Sequence, residues 1–444
     1  MKLTKNKLHQ LFLFFILIVY CVFNSGNKNL IIQINFILIG LLFLFSLKDK
    51  NYKLHFFNFY FKNQKFVVLY ILFLLIILFQ TIPLPIYVLK IFSHQKYIFL
   101  DLLSNNILFS SISLSPTNTF FQFLNYLSLI LFLFIVKMIF YRTSHVRRFF
   151  IFLSSVGALF SIFAIVLYLF GNPDVLFIKK TYHYKDSSTG FFINRTVFSI
   201  FLLFCLLAAL EIQKYISIHN NTEIKDNFFL KIYTRFFIVF ITLGILTSFS
   251  RIGNFLMLIT IISYLIHESN KKKNINFQFK FLLYAIIIFD IVILGIFFGS
   301  SKLIERFAFI NNEFSNIFAE NYNLSRFQVI KFSFNQIPNF FILGYGAGGF
   351  ETLFKLSFPN NSNLFADHAH SSIIEFFGEF GFIGSIVLIL SLARILSLIH
   401  DFKLINFILF IYLLVLLLFD FSLHIPIIQI LFIIFFVLND KVTR

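Results

Sequence analysis

The chain has 444 residues, of which 59% are hydrophobic and 13% charged, and its formal net charge is +18. A soluble protein carries about 25% charged residues, so this composition excludes a soluble globular class. Apolar runs of roughly 15–22 residues recur along the chain, the length a helix needs to cross ~30 Å of hydrocarbon.

Lipid-exposed backbone must satisfy its own hydrogen bonds, which excludes an open sheet, and the runs do not alternate as barrel strands do. The class is therefore all-α and polytopic. The 73 Phe follow from this class and mark no ligand site by themselves. The positive charge suggests nucleic acid, but most Lys and Arg sit in short loops between apolar runs, as the positive-inside rule requires. Cys21 and Cys205 fall inside apolar runs, which leaves neither a disulfide framework nor a zinc cysteine pair. The basic start before the first apolar run resembles a signal peptide. No Ala-x-Ala site follows it, so an uncleaved first helix is expected.

In chain order, about twelve spans are expected: 9–24, 30–47, 66–82, 119–136, 149–170, 191–212, 236–250, 252–268, 281–299, 372–392, 404–419 and 427–439. With the N-terminus inside, 24 of the 37 Lys and Arg lie on the cytoplasmic side and 13 on the outer side. That bias sets both termini in the cytoplasm. Residues 236–268 need two crossings, because the basic loops on either side both belong inside. The turn-forming run Thr247-Ser248-Phe249-Ser250-Arg251-Ile252-Gly253-Asn254 supplies the break. Three outer loops follow, at about 83–118, 171–190 and 300–371. The second carries Lys179, Lys180, His183 and Lys185. The third is long and polar. Within it, Ser325–Gln336 reads as a short amphipathic helix with Phe327, Ile330 and Phe334 on a membrane-facing side.

Chemistry concentrates between Gly344 and Gly384. His370 sits where an outer loop meets a span, and an imidazole is a base near neutral pH. A loop histidine bonded to nearby backbone is the structural alternative. His368, two residues earlier, and Asp367 permit a metal reading, but no further ligand cluster supports it and no metal is expected. Arg251, at the tip of the hairpin, and Arg326 read either as anchors or as fixed cations suited to phosphate oxygens. Arg195, beside Asn194, is a third such candidate. The run Gly344-Tyr345-Gly346-Ala347-Gly348-Gly349 matches G-x-G-x-x-G without its βαβ context, so it reads as a tight turn or an anion nest. Glu375 and Glu379 share a helix face, either paired with the arginines or shaping the site.

Taken together, these residues resemble a family. His370-Ser371, nine residues, then Gly381-x-x-Gly384 resembles the H-[NSQ]-x9-G-x-x-[GTY] signature of bacterial O-antigen ligases. Gly344-x-Gly346-x-Gly348-x-Phe350, Asp367-His368-Ala369-His370, Ser250-Arg251-x-Gly253 and Gly190-x-Phe192-x-Asn194 are similar to that family as well. Arg326-x3-Ile330 matches its R-x3-L motif loosely, with Ile for Leu. The resemblance implies N-terminal spans over 1–189, a ligase/polymerase-like core over 190–392 with its outer loop at 300–371, and C-terminal spans over 393–444.

It also implies a metal-independent enzyme of the bacterial inner membrane, without cofactor, working at the periplasmic face. The donor would be a saccharide on undecaprenyl diphosphate and the acceptor a hydroxyl of lipid A-core or another saccharide, within membrane lipid and without nucleic acid. On this reading His370 is the catalytic base. Arg251, Arg326, Arg195 and His368 bind substrate, with Glu379, Gly344, Gly346, Gly381 and Gly384 in support. A polysaccharide polymerase and a protein O-glycosyltransferase share the same chemistry. A lipid-linked sugar transporter is the rival of another class, and its characteristic repeated halves are not detectable here.

Overall fold

The computed structural model describes residues 5–102, 107–174, 185–218, 226–269, 279–286, 288, 325–359, 365–396 and 403–442. The N-terminal part holds α1 (Lys5–Val22), α2 (Asn29–Leu47), α3 (Lys50–Lys62), α4 (Gln64–Phe79), α5 (Ile86–Phe92), α6 (His94–Leu102), α7 (Pro116–Ile139) and α8 (Thr143–Leu169). Next come α9 (Arg195–Ile218), α10 (Asp226–Thr247) and α11 (Arg251–Ser269). Residues 279–286 are helical too. The chain continues with α12 (Arg326–Gln336), α13 (Phe350–Ser357), α14 (Ser372–Leu396), α15 (Leu404–Phe419) and α16 (Pro426–Val442). A two-residue antiparallel pair, β1 (Leu84–Pro85) and β2 (Phe109–Ser110), joins Leu84 to Ser110 and Pro85 to Phe109.

The helix starts follow local chemistry. Asn194 caps α9, its Oδ1 accepting from the Thr196 N–H at 2.7 Å. Ser250 caps α11 by accepting from the Gly253 N–H at 3.2 Å. Pro116 and Pro426 open α7 and α16, where a missing N–H costs nothing. The expected break between the seventh and eighth spans is present: α10 ends at Thr247, Phe249 takes a φ of 52°, and α11 begins at Arg251.

The centre of the bundle is α9. Every side chain from Val197 to Leu210 is buried, as expected of a helix that is apolar on all faces. It packs against α8, α10, α11 and α16. On the other side α7 packs against α2, α3, α4 and α16, while α14 packs along α4. Ile37, Leu41 and Leu44 of α2 and Ile389 and Leu390 of α14 point outward and are exposed, as lipid-facing side chains are.

Seven helices are long and apolar enough to cross a membrane, or eight if the pair α3 and α4 forms one span, among the described residues. The sequence reading expects twelve. The difference has two sources. Helices α1, α15 and α16 coincide with expected spans but hold shorter apolar stretches of 10–17 residues. The ninth expected span, 281–299, lies mostly outside the described residues. The expected cytoplasmic loop 48–65 is instead helix α3, capped by Asp49 and bent 84° from α4.

Candidate active site

At one end of the bundle a backbone crossing builds the site. Helix α14 is broken at Gly381, which has φ 64° and ψ −172°. The break frees peptide groups, each costing several kcal/mol if left unpaired in hydrocarbon (about 2–7 for an amide). The turn at 341–346 takes them up. Tyr345 N–H donates to the Gly378 carbonyl at 2.9 Å and Gly346 N–H to the Glu379 carbonyl at 3.2 Å. In return Phe382 N–H donates to Phe341 at 2.7 Å and Ile383 N–H to Ile342 at 3.3 Å. The buried Gln80, just past α4, donates to the Glu379 carbonyl at 2.8 Å and locks the crossing from a third side. The segment before α7 covers it, with Leu114 N–H donating to the Tyr345 carbonyl at 2.9 Å. Lys96 of α6 anchors that segment by donating to Ser111 Oγ at 3.2 Å.

Below the crossing, both carboxylates of α14 are buried, with Glu375 1% and Glu379 2% exposed. Glu375 Oε1 accepts from His368 Nδ1 at 2.7 Å, and its Oε2 accepts from the Ala369 N–H at 2.8 Å. Glu379 Oε1 accepts from the Gly348 N–H at 2.7 Å. The glycine turn is therefore not an open anion nest: the protein's own carboxylate fills it. Nor do the acids pair with arginines in these contacts. Beside both lies His424, whose Nε2 is 3.7 Å from Glu375 Oε1 and 3.6 Å from Glu379 Oε2. Phe376 stacks on the His424 ring at 4.1 Å and Phe421 on the His368 ring at 4.4 Å.

His370 follows directly. It has φ 59°, a left-handed backbone that costs a non-glycine residue roughly 1–2 kcal/mol. The Ala369 N–H bond to Glu375 fixes the residue before it. His370 Nδ1 is buried with no hydrogen-bond partner among the described residues. Burial first, then the Arg326 guanidinium and His368, push the imidazole down to about 3, against the opposing pull of Glu375. The ring is therefore neutral at pH 7. His424 moves the other way. Burial disfavours its charge, but Glu375 and Glu379 outweigh burial and raise it. The buried Asp420 carboxyl is raised by burial, with Ser422 and Arg326 acting against this.

Arg326 opens α12, capped by Ser325, and its charge acts on both His370 and Asp420. The buried face of α12 is Gln328, Val329, Phe332 and Ser333, which leaves Phe327, Ile330 and Phe334 off that face, as a membrane-facing stripe requires. Phe334 is 62% exposed, so the outer side of α12 does present an apolar ring. Arg251 and Arg195 open α11 and α9, Arg251 from an exposed position. The charges acting on His370 include those of Arg326, His368 and Glu375. Of the second outer loop, Lys185 is exposed, while Lys179, Lys180 and His183 lie outside the described residues.

The metal triplet weighed from sequence, His368 with His370 and Asp367, does not assemble. Asp367 is exposed, and the atoms that converge are His368 Nδ1, Glu375 Oε1 and His424 Nε2. A zinc ion holds its ligands at ~2.0–2.2 Å, which sets them roughly 3.3 Å apart. The 2.7 Å contact between His368 and Glu375 is instead a direct hydrogen bond. Sequence reasoning missed His424 and Gln80. The signal for His424 was an ionisable residue in the short polar turn between two apolar runs. Gln80 showed none.

The fold and this cluster define a multi-pass helical membrane protein with a buried acid–histidine site at one end of its bundle. Residues 236–389 match the family model described as Wzy_C, O-antigen ligase, which sets this segment in the O-antigen ligase superfamily. No curated protein matches the chain. His424 and Gln80 both lie outside the matched segment.

Proposed function

We propose that this chain is a glycosyltransferase of the bacterial inner membrane. It moves a saccharide from undecaprenyl diphosphate to a hydroxyl of lipid A-core at the periplasmic face, without a metal in the chemistry. The observation that carries the reading is His370: a neutral imidazole, in a strained turn, with a buried Nδ1 that has no hydrogen-bond partner among the described residues, under the charge of Arg326. A buried polar atom without a partner calls for an explanation, and a catalytic role is one of them.

In the proposed step the acceptor O–H gives its proton to His370. Its oxygen forms the new bond at the anomeric carbon, and the bond to the diphosphate breaks with both electrons leaving on the phosphate. Attack from the opposite side inverts the anomeric centre. Arg326 bonds the leaving diphosphate, a charge-assisted contact about twice as strong as a neutral one. Arg251 and Arg195, at the starts of neighbouring helices, and His368 extend the anion and sugar contacts. The core over 190–392 with its outer loop carries the chemistry, and the spans on either side embed it.

The test is transfer by purified protein given an undecaprenyl-diphosphate oligosaccharide, with lipid A-core or a second donor molecule as acceptor and EDTA present. Sugar on lipid A-core supports the ligase. Lengthened donor chains without core modification identify a polymerase, and donor crossing the bilayer with no new bond identifies a transporter.

The pH dependence of kcat/KM is a separate check. His370 stays unprotonated down to about pH 3, so this base gives no loss of rate as pH falls from 7 to 5, where an ordinary histidine base near 6.5 would lose most of its activity. In Arg326→Gln the nearby positive charge is gone and protonation becomes easier. Initial rates should then fall about a hundredfold to a thousandfold, with an acid limb moved toward pH 6.5. An unchanged profile would remove Arg326 from the site.

A further inference from the structure

We infer that His424 is a positioning residue: its cationic ring lets Glu375 and Glu379 stay ionised together, and so keeps the His370 turn and the glycine turn pinned to α14.

The argument starts from two carboxylates one helical turn apart, both buried in a setting where like charges repel strongly. Each is already committed as an acceptor. Glu375 uses both oxygens, for His368 Nδ1 and the Ala369 N–H, and Glu379 uses one for the Gly348 N–H. A proton drawn onto either carboxyl would turn a charge-assisted acceptor into a neutral, weaker one. The bonds from Ala369 N–H to Glu375 and from Gly348 N–H to Glu379 would weaken, and with them the support for the His370 turn and the glycine turn. His424 Nε2 lies between the pair, at 3.7 Å and 3.6 Å, in ion-pair range of both.

The ring is held for this task. It stacks on Phe376, and the backbone N–H of His424 donates to the Phe421 carbonyl at 2.9 Å. The turn Ser422–His424 that carries it packs against α9, α14, α15 and α16. The ionisable groups around it are Glu375 and Glu379 of α14, His368 of the preceding loop, and Asp420, which accepts from Ser422. Only indirectly, through Glu375, does His424 reach His370, so its part is to position the base rather than to touch substrate.

Transfer as a readout rests on the proposed function, so a second readout is independent of it. Ser371 is 2% exposed and follows His370 directly. In purified Ser371→Cys protein a maleimide should react slowly. Adding His424→Gln should speed labelling by roughly tenfold or more as the turn opens, and His424→Lys should slow it again. In the transfer assay His424→Gln should lower kcat by about tenfold to hundredfold with KM within about threefold, the effect of a misplaced base. The double variant H424Q/E379Q removes the repulsion as well and should recover much of the loss, which a packing role for the ring would not allow. Labelling unchanged by His424→Gln overturns the inference, whatever the transfer assay gives. A kcat equal to wild type, or a loss that neither His424→Lys nor the double variant recovers, overturns it too. If wild type transfers nothing, the transfer reading falls and the labelling result decides the positioning role alone.

Discussion

Replacing His370 with glutamine is expected to lower transfer by about a hundredfold to ten-thousandfold, the usual contribution of a positioned base. The fold should survive the change. His370 Nδ1 has no hydrogen-bond partner among the described residues, so no such bond is lost there. The ring makes an edge contact with Phe421, at 5.7 Å between ring centres, which glutamine would lose. The left-handed backbone at φ 59° strains glutamine as it strains histidine. His370→Asn is the companion variant, because asparagine accepts that conformation more readily than most residues. Both should keep the thermal midpoint of wild type in detergent while kcat falls. A variant that transfers at the wild-type rate would remove His370 as the base.

Linkage adds a consequence for stability. The folded imidazole is held at about 3, below the ordinary value of 6.5 that an unfolded chain has. Between these values the unfolded chain binds a proton that the folded one does not. This group therefore lowers stability as pH falls from about 6.5 toward 3, and has no effect on it above 6.5. His370→Asn should flatten that part of the stability profile, as thermal midpoints across the same pH range would record.

How much of this was legible in the sequence depends on the length scale of the cause. Helix α9 was readable because its burial follows from an apolar run with no polar face. The break at Thr247–Arg251 was readable because charge on the flanking loops demands two crossings, and local turn chemistry supplies the place. The run His368–His370 and the glycines Gly344, Gly346, Gly381 and Gly384 were readable as a motif. What they do was not. That Gly348 offers its N–H to Glu379 depends on a contact 31 residues apart, and the hold of His424 on Glu375 on one 49 residues apart. No local pattern encodes such distances. Helix α3 was missed for a different reason: its Lys and Asn residues, interleaved with aromatic ones, read as a basic loop until Asp49 is seen to cap it.

Gly344→Ala should have the largest effect on the fold, and the reason is backbone against backbone. A Cβ at Gly344 would sit 2.2 Å from the Glu379 carbonyl oxygen and 2.6 Å from that of Gly378. Its φ of +75° adds roughly 1–2 kcal/mol of strain for any L side chain. Neither neighbour is the flexible end of a side chain, so relief requires the crossing to separate. Separation would leave the peptide groups freed by the Gly381 break unpaired in an apolar setting, at several kcal/mol each. Against a total stability of about 5–15 kcal/mol, that is enough to unfold this end of the bundle. Gly381→Ala tests the same contact from the other side, since its Cβ would lie 2.5 Å from Gly344 N. Gly40→Ala is the control: nothing lies within 4 Å of its Cβ, and alanine favours a helix interior over glycine by about 1 kcal/mol. Membrane yield and thermal midpoint should drop sharply for Gly344→Ala and Gly381→Ala and hold or rise for Gly40→Ala. Normal yield and midpoint for Gly344→Ala would mean the turn does not cross α14 as described. The clamp of Glu379 on Gly348, and with it the geometry around His370, would then need a different support.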